Sequence, residues 1–162
     1  MKVEELMTKQ VASVRGTDST AVAARLMWDC DCGALPVLDG DGRAIAMITD
    51  RDICMAALMR DRAPSAIPVS EAMSRELRAC ASDDEVSDAE DMMRAYQIRR
   101  IPIVDQDGRP IGLLSLADIV RATDRNKGRA PEALPSSEVA GTLADICATA
   151  SREPNRAGPR AH

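Results

Sequence analysis

LPVLDGDGRAIAMITDRDI, residues 35–53, returns further along the chain as IPIVDQDGRPIGLLSLADI, residues 101–119. Each phrase is an apolar run, a turn rich in Asp and Gly, a second apolar run and then a hydroxyl residue followed three positions later by Asp. The order predicts a strand, a hairpin turn, a second strand and the start of a helix. Extending the comparison outward at an offset of 66 residues aligns 3–53 with 69–119 without a gap. Fourteen of the 51 pairs are identical, among them Val3/Val69, Met7/Met73, Asp18/Asp84, Pro36/Pro102, Gly42/Gly108 and Asp52/Asp118. About three would be expected by chance, so the chain carries an internal duplication.

The rest of each copy follows from periodicity. A short turn leads (Val3 to Met7; Val69 to Met73), and Asp18 or Asp84 stands where a helix cap is expected. A helix follows, with Ala23, Leu26 and Met27 in the first copy and Ala89, Met92 and Met93 in the second at helical spacing. The strands are expected at Leu35–Leu38 and Ala44–Ile48, and again at Ile101–Val104 and Ile111–Leu114. One copy has too few strands to cover its own apolar face. Two copies packed about a pseudo-two-fold axis close a core and create two equivalent clefts between them. The fold class expected is therefore mixed α/β, small sheets packed with helices, with repeat 1 at 1–60 and repeat 2 at 61–124. Residues 125–135, rich in Gly, Pro and charge, read as a linker. Residues 136–150 read as an amphipathic C-terminal helix with Val139, Leu143 and Ile146 on its apolar stripe, and 151–162 as a disordered tail.

Composition narrows the function. The chain has 162 residues, 45% of them hydrophobic, and a formal net charge of −5. The acidic balance argues against a sequence-independent grip on nucleic acid. No apolar run approaches the ~20 residues of a membrane helix, and the opening MKVEELMTKQ lacks the apolar core of a signal peptide, so a cytoplasmic location is expected. The five cysteines form no CxxC pair and have no histidine partners, which favours buried free thiols over disulfides or a metal site. The one histidine is His162, so a Ser-His or Cys-His nucleophile pair has no base within the repeats, and a non-enzyme is expected.

Thr49-x-x-Asp52 and Ser115-x-x-Asp118 have two readings from spacing alone. A hydroxyl residue and an acid three apart at a helix start form a capping box. The same groups can hold a ligand, because free helix amides favour an anion and a carboxylate can accept from a cis-diol. Arg99 and Arg100 precede Ile101-Pro102, whereas Gly33 and Ala34 precede Leu35-Pro36. A surface ion pair is the commoner fate of an arginine such as Arg100.

The order of short turn, helix, [LI]-P-[VI]-[LV]-D, D-G-R and [TS]-x-x-D-I, given twice over residues 1–124, resembles the tandem cystathionine β-synthase (CBS) domain pair, or Bateman module. The resemblance implies a regulatory ligand containing adenosine, such as AMP, ATP, NAD or S-adenosylmethionine, and a homodimer that can signal to a separate protein partner. It implies that the hydroxyl of each [TS]-x-x-D meets phosphate and the carboxylate meets ribose, and that Arg100 reaches the phosphate held by Thr49 and Asp52. The cleft of Ser115 and Asp118 faces Ala34; it would be empty, structural or suited to an uncharged adenosine. Adenine would lie against Gly33, Ala34 and Leu35 or Arg99, Arg100, Ile101 and Pro102, with Val14 and Cys80 at the rim. No metal is implied.

Overall fold

The computed structural model describes residues 1–125 and 136–147. Residues 126–135 of the expected linker, 148–150 of the expected C-terminal helix and the expected tail, 151–162, lie outside the described residues. The elements run β1 (Thr8–Lys9), β2 (Val14–Arg15), α1 (Thr20–Asp29), β3 (Ala34–Leu38), β4 (Ala44–Thr49), α2 (Asp50–Arg60), β5 (Cys80–Ala81), α3 (Val86–Tyr96), β6 (Arg100–Val104), β7 (Pro110–Ser115), α4 (Leu116–Arg125) and α5 (Ser136–Cys147). They form two sheets, ordered β2-β3-β4 and β1-β7-β6-β5.

In each sheet the central strand pairs antiparallel with its hairpin partner and parallel with the short strand before the helix. Pro36 lies opposite Met47, and Pro102 opposite Leu113. The turns repeat in detail. Asp39 Oδ1 accepts from the amides of Asp41 and Arg43, both at 2.9 Å, and Asp105 Oδ1 accepts from Asp107 at 3.0 Å and Arg109 at 2.8 Å. Gly42 and Gly108 close these turns at φ +83 and +80, where a Cβ is strained. The two hairpin tips touch, for the Ala44 amide donates to the Gly108 carbonyl at 2.9 Å and Arg43 Nε to the Asp107 carbonyl at 3.1 Å. The mirror bond would need an amide at Pro110, the counterpart of Ala44, and proline has none.

The period of the sequence and the packing unit are offset. The leading turn of each copy crosses to the other: Val3 lies in the core with Val86, Ile101 and Leu114, and Val69 in the core with Val14, Leu35 and Ile48. The Val3 amide donates to the Asp84 carbonyl at 3.0 Å and the Val69 amide to that of Asp18 at 2.8 Å. Thr8 pairs with Leu113 on an added strand, and Ser74, its counterpart, exchanges hydrogen bonds with the Met47 backbone. A two-residue edge cannot close a core alone, and the reciprocal exchange supplies the missing edge from the sister copy.

Two local expectations are corrected. Asp18 and Asp84 do not cap helices; their carboxylates accept from the amides of Arg15 and Ala81, both at 2.8 Å, and close the turn before each helix. Ser19 takes the cap of α1. The cysteines are not uniformly buried: Cys80 is buried, but Cys30 and Cys54 are exposed on or beside α1 and α2, and all three are free thiols, as is Cys32.

Helix α5 lies against α3 and α4. Ile146 is buried with Met93, Leu116 and Ile119, while Leu143 is exposed; the side chain of Val139 lies outside the described residues. Thr142 donates to the buried carboxylate of Glu90 at 3.0 Å, and Arg94 donates to the Thr142 hydroxyl at 2.6 Å. No helix among the described residues is long and apolar enough to cross a membrane.

Candidate functional site

Strand β4 ends at Thr49, whose extended backbone (φ −117, ψ 162) turns the chain into α2. Its hydroxyl accepts from the Asp52 amide at 3.2 Å, and Asp52 Oδ2 accepts from the Thr49 amide at 2.9 Å and from the Thr49 hydroxyl at 2.7 Å. Ser115 and Asp118 repeat the box at the start of α4, with the Ser115 amide 2.9 Å from Asp118 Oδ2. Both [TS]-x-x-D motifs are therefore capping boxes in this state.

The two boxes differ in their second oxygen. Asp118 Oδ1 pairs with Arg121, one turn on, whereas the residue one turn beyond Asp52 is Met55. Among the described residues, Asp52 Oδ1 accepts no hydrogen bond. One carboxylate is neutralised within its own helix, and the other keeps an oxygen for something else. This signal was present in the sequence as Arg121 against Met55, outside the motif itself.

Arg100, at the start of β6, crosses from repeat 2 to repeat 1. A Cβ placed on Gly33 would lie 3.1 Å from Asp50 Oδ2, a tight approach, and 3.6 Å from Arg100 Nη2, an ordinary contact, so both side chains close over this glycine. Arg100 is exposed and makes no hydrogen bond or ion pair among the described residues. A cleft of about 440 Å³ opens here, with Gly33, Cys32, Asp31, Asp50 and Arg100 at its polar end and Ala24, Met27, Trp28 and Ile53 along its apolar floor and rim. Thr49 and Asp52 are not among its lining residues. The helical side chains, Trp28 above all, were not read as site residues, because α1 carries no motif and its pattern is that of any packed helix.

Of the other expected contacts, Ala34, Leu35, Pro102, Ile101, Val14 and Cys80 are buried in the two cores, and Arg99 is exposed. The Leu116 amide donates to the Arg99 carbonyl at 2.9 Å, as the Asp50 amide does to that of Gly33 at 3.3 Å, so these backbone positions brace the helix starts. Burial pushes the Cys80 thiol up to about 11, with Asp84 and Asp88 adding to the effect. Burial also raises the Cys32 thiol, against a backbone hydrogen bond at Ala34. Neither is a ready thiolate at neutral pH. The described residues contain no group of three or more His, Cys, Asp or Glu side chains that could hold a metal ion.

Comparison with known proteins bears on this arrangement. The CBS domain profile matches residues 3–59 and again 69–125. The CBS domain-containing protein YhcV of Bacillus subtilis is 39% identical over 117 residues, 72% of this chain and 81% of its own. A 17.7 kDa uncharacterized protein of Acidianus ambivalens is 35% identical over 121 residues, 75% of this chain and 72% of its own. The CBS domain pair of protein MJ0100, solved in complex with 5′-methylthioadenosine and S-adenosyl-L-methionine, superposes with a TM-score of 0.68 at 26% identity, covering 75% of this chain and 98% of that one. With two matched domains that together span most of the described residues, the chain belongs to the CBS domain family as a tandem CBS pair.

Proposed function

We propose that this chain is a stand-alone, cytoplasmic regulatory module that binds an adenosine-containing ligand of the AMP, ATP or NAD class between its repeats and signals through a homodimer or a separate protein partner. The observation that carries this reading is Arg100, which repeat 2 delivers beside Gly33 and Asp50 at the start of α2 and which has no hydrogen-bond or ion-pair partner among the described residues; the same helix start carries Asp52, whose Oδ1 accepts no hydrogen bond among them. Phosphate would be met by Arg100 and the Thr49 hydroxyl, ribose by Asp52, and adenine by the backbone around Gly33, Ala34 and Leu35. Binding would draw Thr49 and Asp52 partly out of their capping box, so that ligand occupancy and the start of α2 are coupled. The Ser115 and Asp118 cleft has Ala34 in place of the arginine and Arg121 on its acid, which suits an uncharged adenosine or no ligand. The relative solved with methylthioadenosine supports the ligand class. The module is read as a non-enzyme.

A second reading, a scaffold that uses the fold only for protein contacts, is favoured by the two boxes being satisfied without ligand. A thermal-shift screen against AMP, ADP, ATP, NAD and S-adenosylmethionine separates the two. A rise in melting temperature with at least one of them is expected; no shift with any of the five would favour the scaffold.

A further inference from the structure

The cleft beside Gly33 is larger than a phosphate needs. Its volume of about 440 Å³ lies within the roughly 300–1,000 Å³ of small-molecule pockets, and its lining continues from Arg100 and Asp50 to Asp31 and Trp28 at the end of α1. One lining residue is a cation, Arg100, and two are carboxylates, Asp31 and Asp50. Both acids are exposed and neither forms an ion pair among the described residues. Backbone geometry holds them at the cleft. Asp31 has φ +48, its amide donates to the Trp28 carbonyl at 3.3 Å and the next amide, of Cys32, to that of Met27 at 2.9 Å, so the end of α1 fixes Asp31 next to Trp28. Asp50 Oδ1 accepts from the Arg51 amide at 2.7 Å, while its Oδ2 lies over Gly33.

We propose that Trp28, Asp31 and Asp50 form a subsite for a flat cationic ring, and that the ligand is a dinucleotide, an adenosine diphosphate ester whose far end carries such a ring. The proposal rests on the ligand reading above and narrows it to one chemical class, of which oxidised nicotinamide adenine dinucleotide (NAD+) is the probe.

Three observations choose this chemistry. Trp28 is 84% exposed, so its indole face is open, and an indole face flanked by carboxylates attracts a cation through both the ring quadrupole and the opposite charge. The charge of the lining sets a limit on phosphate as well. Beyond Arg100 the cleft offers carboxylates and no second cation, so the lengthening phosphate chain of ATP meets like charge there, whereas a dinucleotide brings its own cation to the acids. Finally, the three groups are particular to this cleft. Adding the repeat offset of 66 turns Trp28, Asp31 and Asp50 into Arg94, Gln97 and Leu116, so the repeated architecture does not require them. In repeat 2 the place of the indole belongs to Arg94, which pairs with Asp145 of α5 at 3.7 Å.

The test uses the full chain and its one tryptophan, which is Trp28. Titration calorimetry compares NAD+ with ADP-ribose, which lacks the ring, and with NADH, whose ring is uncharged. NAD+ is expected to bind roughly 2 to 30-fold more tightly than ADP-ribose, the range of one cation–aromatic contact, with NADH weaker than NAD+. The stacked ring is expected to quench the indole emission, and ADP-ribose to leave it unchanged. Trp28→Ala and Asp31→Asn, both at exposed positions and the second tolerant of the positive φ, are expected to bring NAD+ down to the affinity of ADP-ribose while ADP-ribose binds as before. Equal affinities for NAD+ and ADP-ribose in the parent chain, or a preference for NAD+ that survives both variants, would overturn the subsite and leave the adenosine reading standing. Failure of all three probes to bind, with AMP still bound, would overturn the dinucleotide alone; failure of AMP as well would remove both readings.

Discussion

Thr142 on α5 and Glu90 on α3 share a hydrogen bond of 3.0 Å at a site where Glu90 is 1% exposed. A carboxylate that far from water is tolerated only with partners, and α5 brings one of them. Thr142→Val keeps the shape and deletes the donor, which is expected to cost about 1–3 kcal/mol. Hydrogen exchange would then accelerate across 140–146. Leu143→Ala, at an exposed position on the same helix, is expected to change neither stability nor exchange appreciably.

Gly42 and Gly40 sit in one turn but differ in backbone. Gly42 has φ +83 and Gly40 has no positive φ, and a Cβ at either would meet nothing within 4 Å. Gly42→Ala is expected to lose about 1–2 kcal/mol from conformation alone, whereas Gly40→Ala should be neutral or slightly stabilising by restricting the unfolded chain. Urea denaturation of the two variants measures the difference. Equal midpoints would mean that the hairpin tip tolerates a changed turn.

Acid stability follows from Glu85 and Asp39. The hydrogen bond from Lys2, more than any other contact, holds the Glu85 carboxyl down at about 2, and the Arg43 amide leads the interactions that hold Asp39 below its usual value. A carboxyl depressed in the folded state contributes stability above its unfolded pKa and loses it as pH falls toward its folded one. For Glu85 that window runs from 4.5 down to about 2. Glu85→Gln is expected to lower the melting temperature between pH 6 and 8, where the ionised carboxylate stabilises the fold, and to flatten its fall through this window, so that the variant and parent curves converge toward pH 2. An unaltered acid limb would mean that the Lys2 contact does not persist in solution.

The hairpins, the helix starts and their duplication were legible because each is written in local chemistry. Gly42 and Gly108 need a positive φ, Asp39 and Asp105 bind their own turns, and Thr49 or Ser115 with an acid three residues on closes a helix end. The exchange of Val3 and Val69 between copies was not legible, since an apolar residue in a leading turn fits either core equally well by pattern. Asp18 and Asp84 misled for a related reason: a short acid before a helix can bind the turn behind it as readily as the amides ahead. At the site, the motif pointed to Thr49, Asp52 and Arg100, while the roles of Met55, Arg121 and Trp28 depended on which helical face looks toward the cleft.

The unliganded boxes allow cap and ligand roles to be separated. Asp52→Ala and Asp118→Ala each remove two bonds from a helix start, so both are expected to lose about 0.5–2 kcal/mol without ligand. The variants part only when ligand is present, where Asp118→Ala should retain the full ligand-induced rise in melting temperature and Asp52→Ala should lose it. A loss of the same size in both would assign the ligand to the two clefts alike.

The central claim is that Arg100 and Asp52 hold a phosphorylated adenosine ligand across the two repeats. Isothermal titration calorimetry of the Arg100→Ala chain, using whichever nucleotide gives the largest thermal shift, tests it most directly. Removal of a charge-assisted contact worth about 1.5–3 kcal/mol predicts a dissociation constant raised roughly 10 to 100-fold, with the melting temperature of the unliganded chain unchanged, since Arg100 is exposed and unpaired among the described residues. An affinity equal to that of the parent chain would contradict the account and place the phosphate elsewhere.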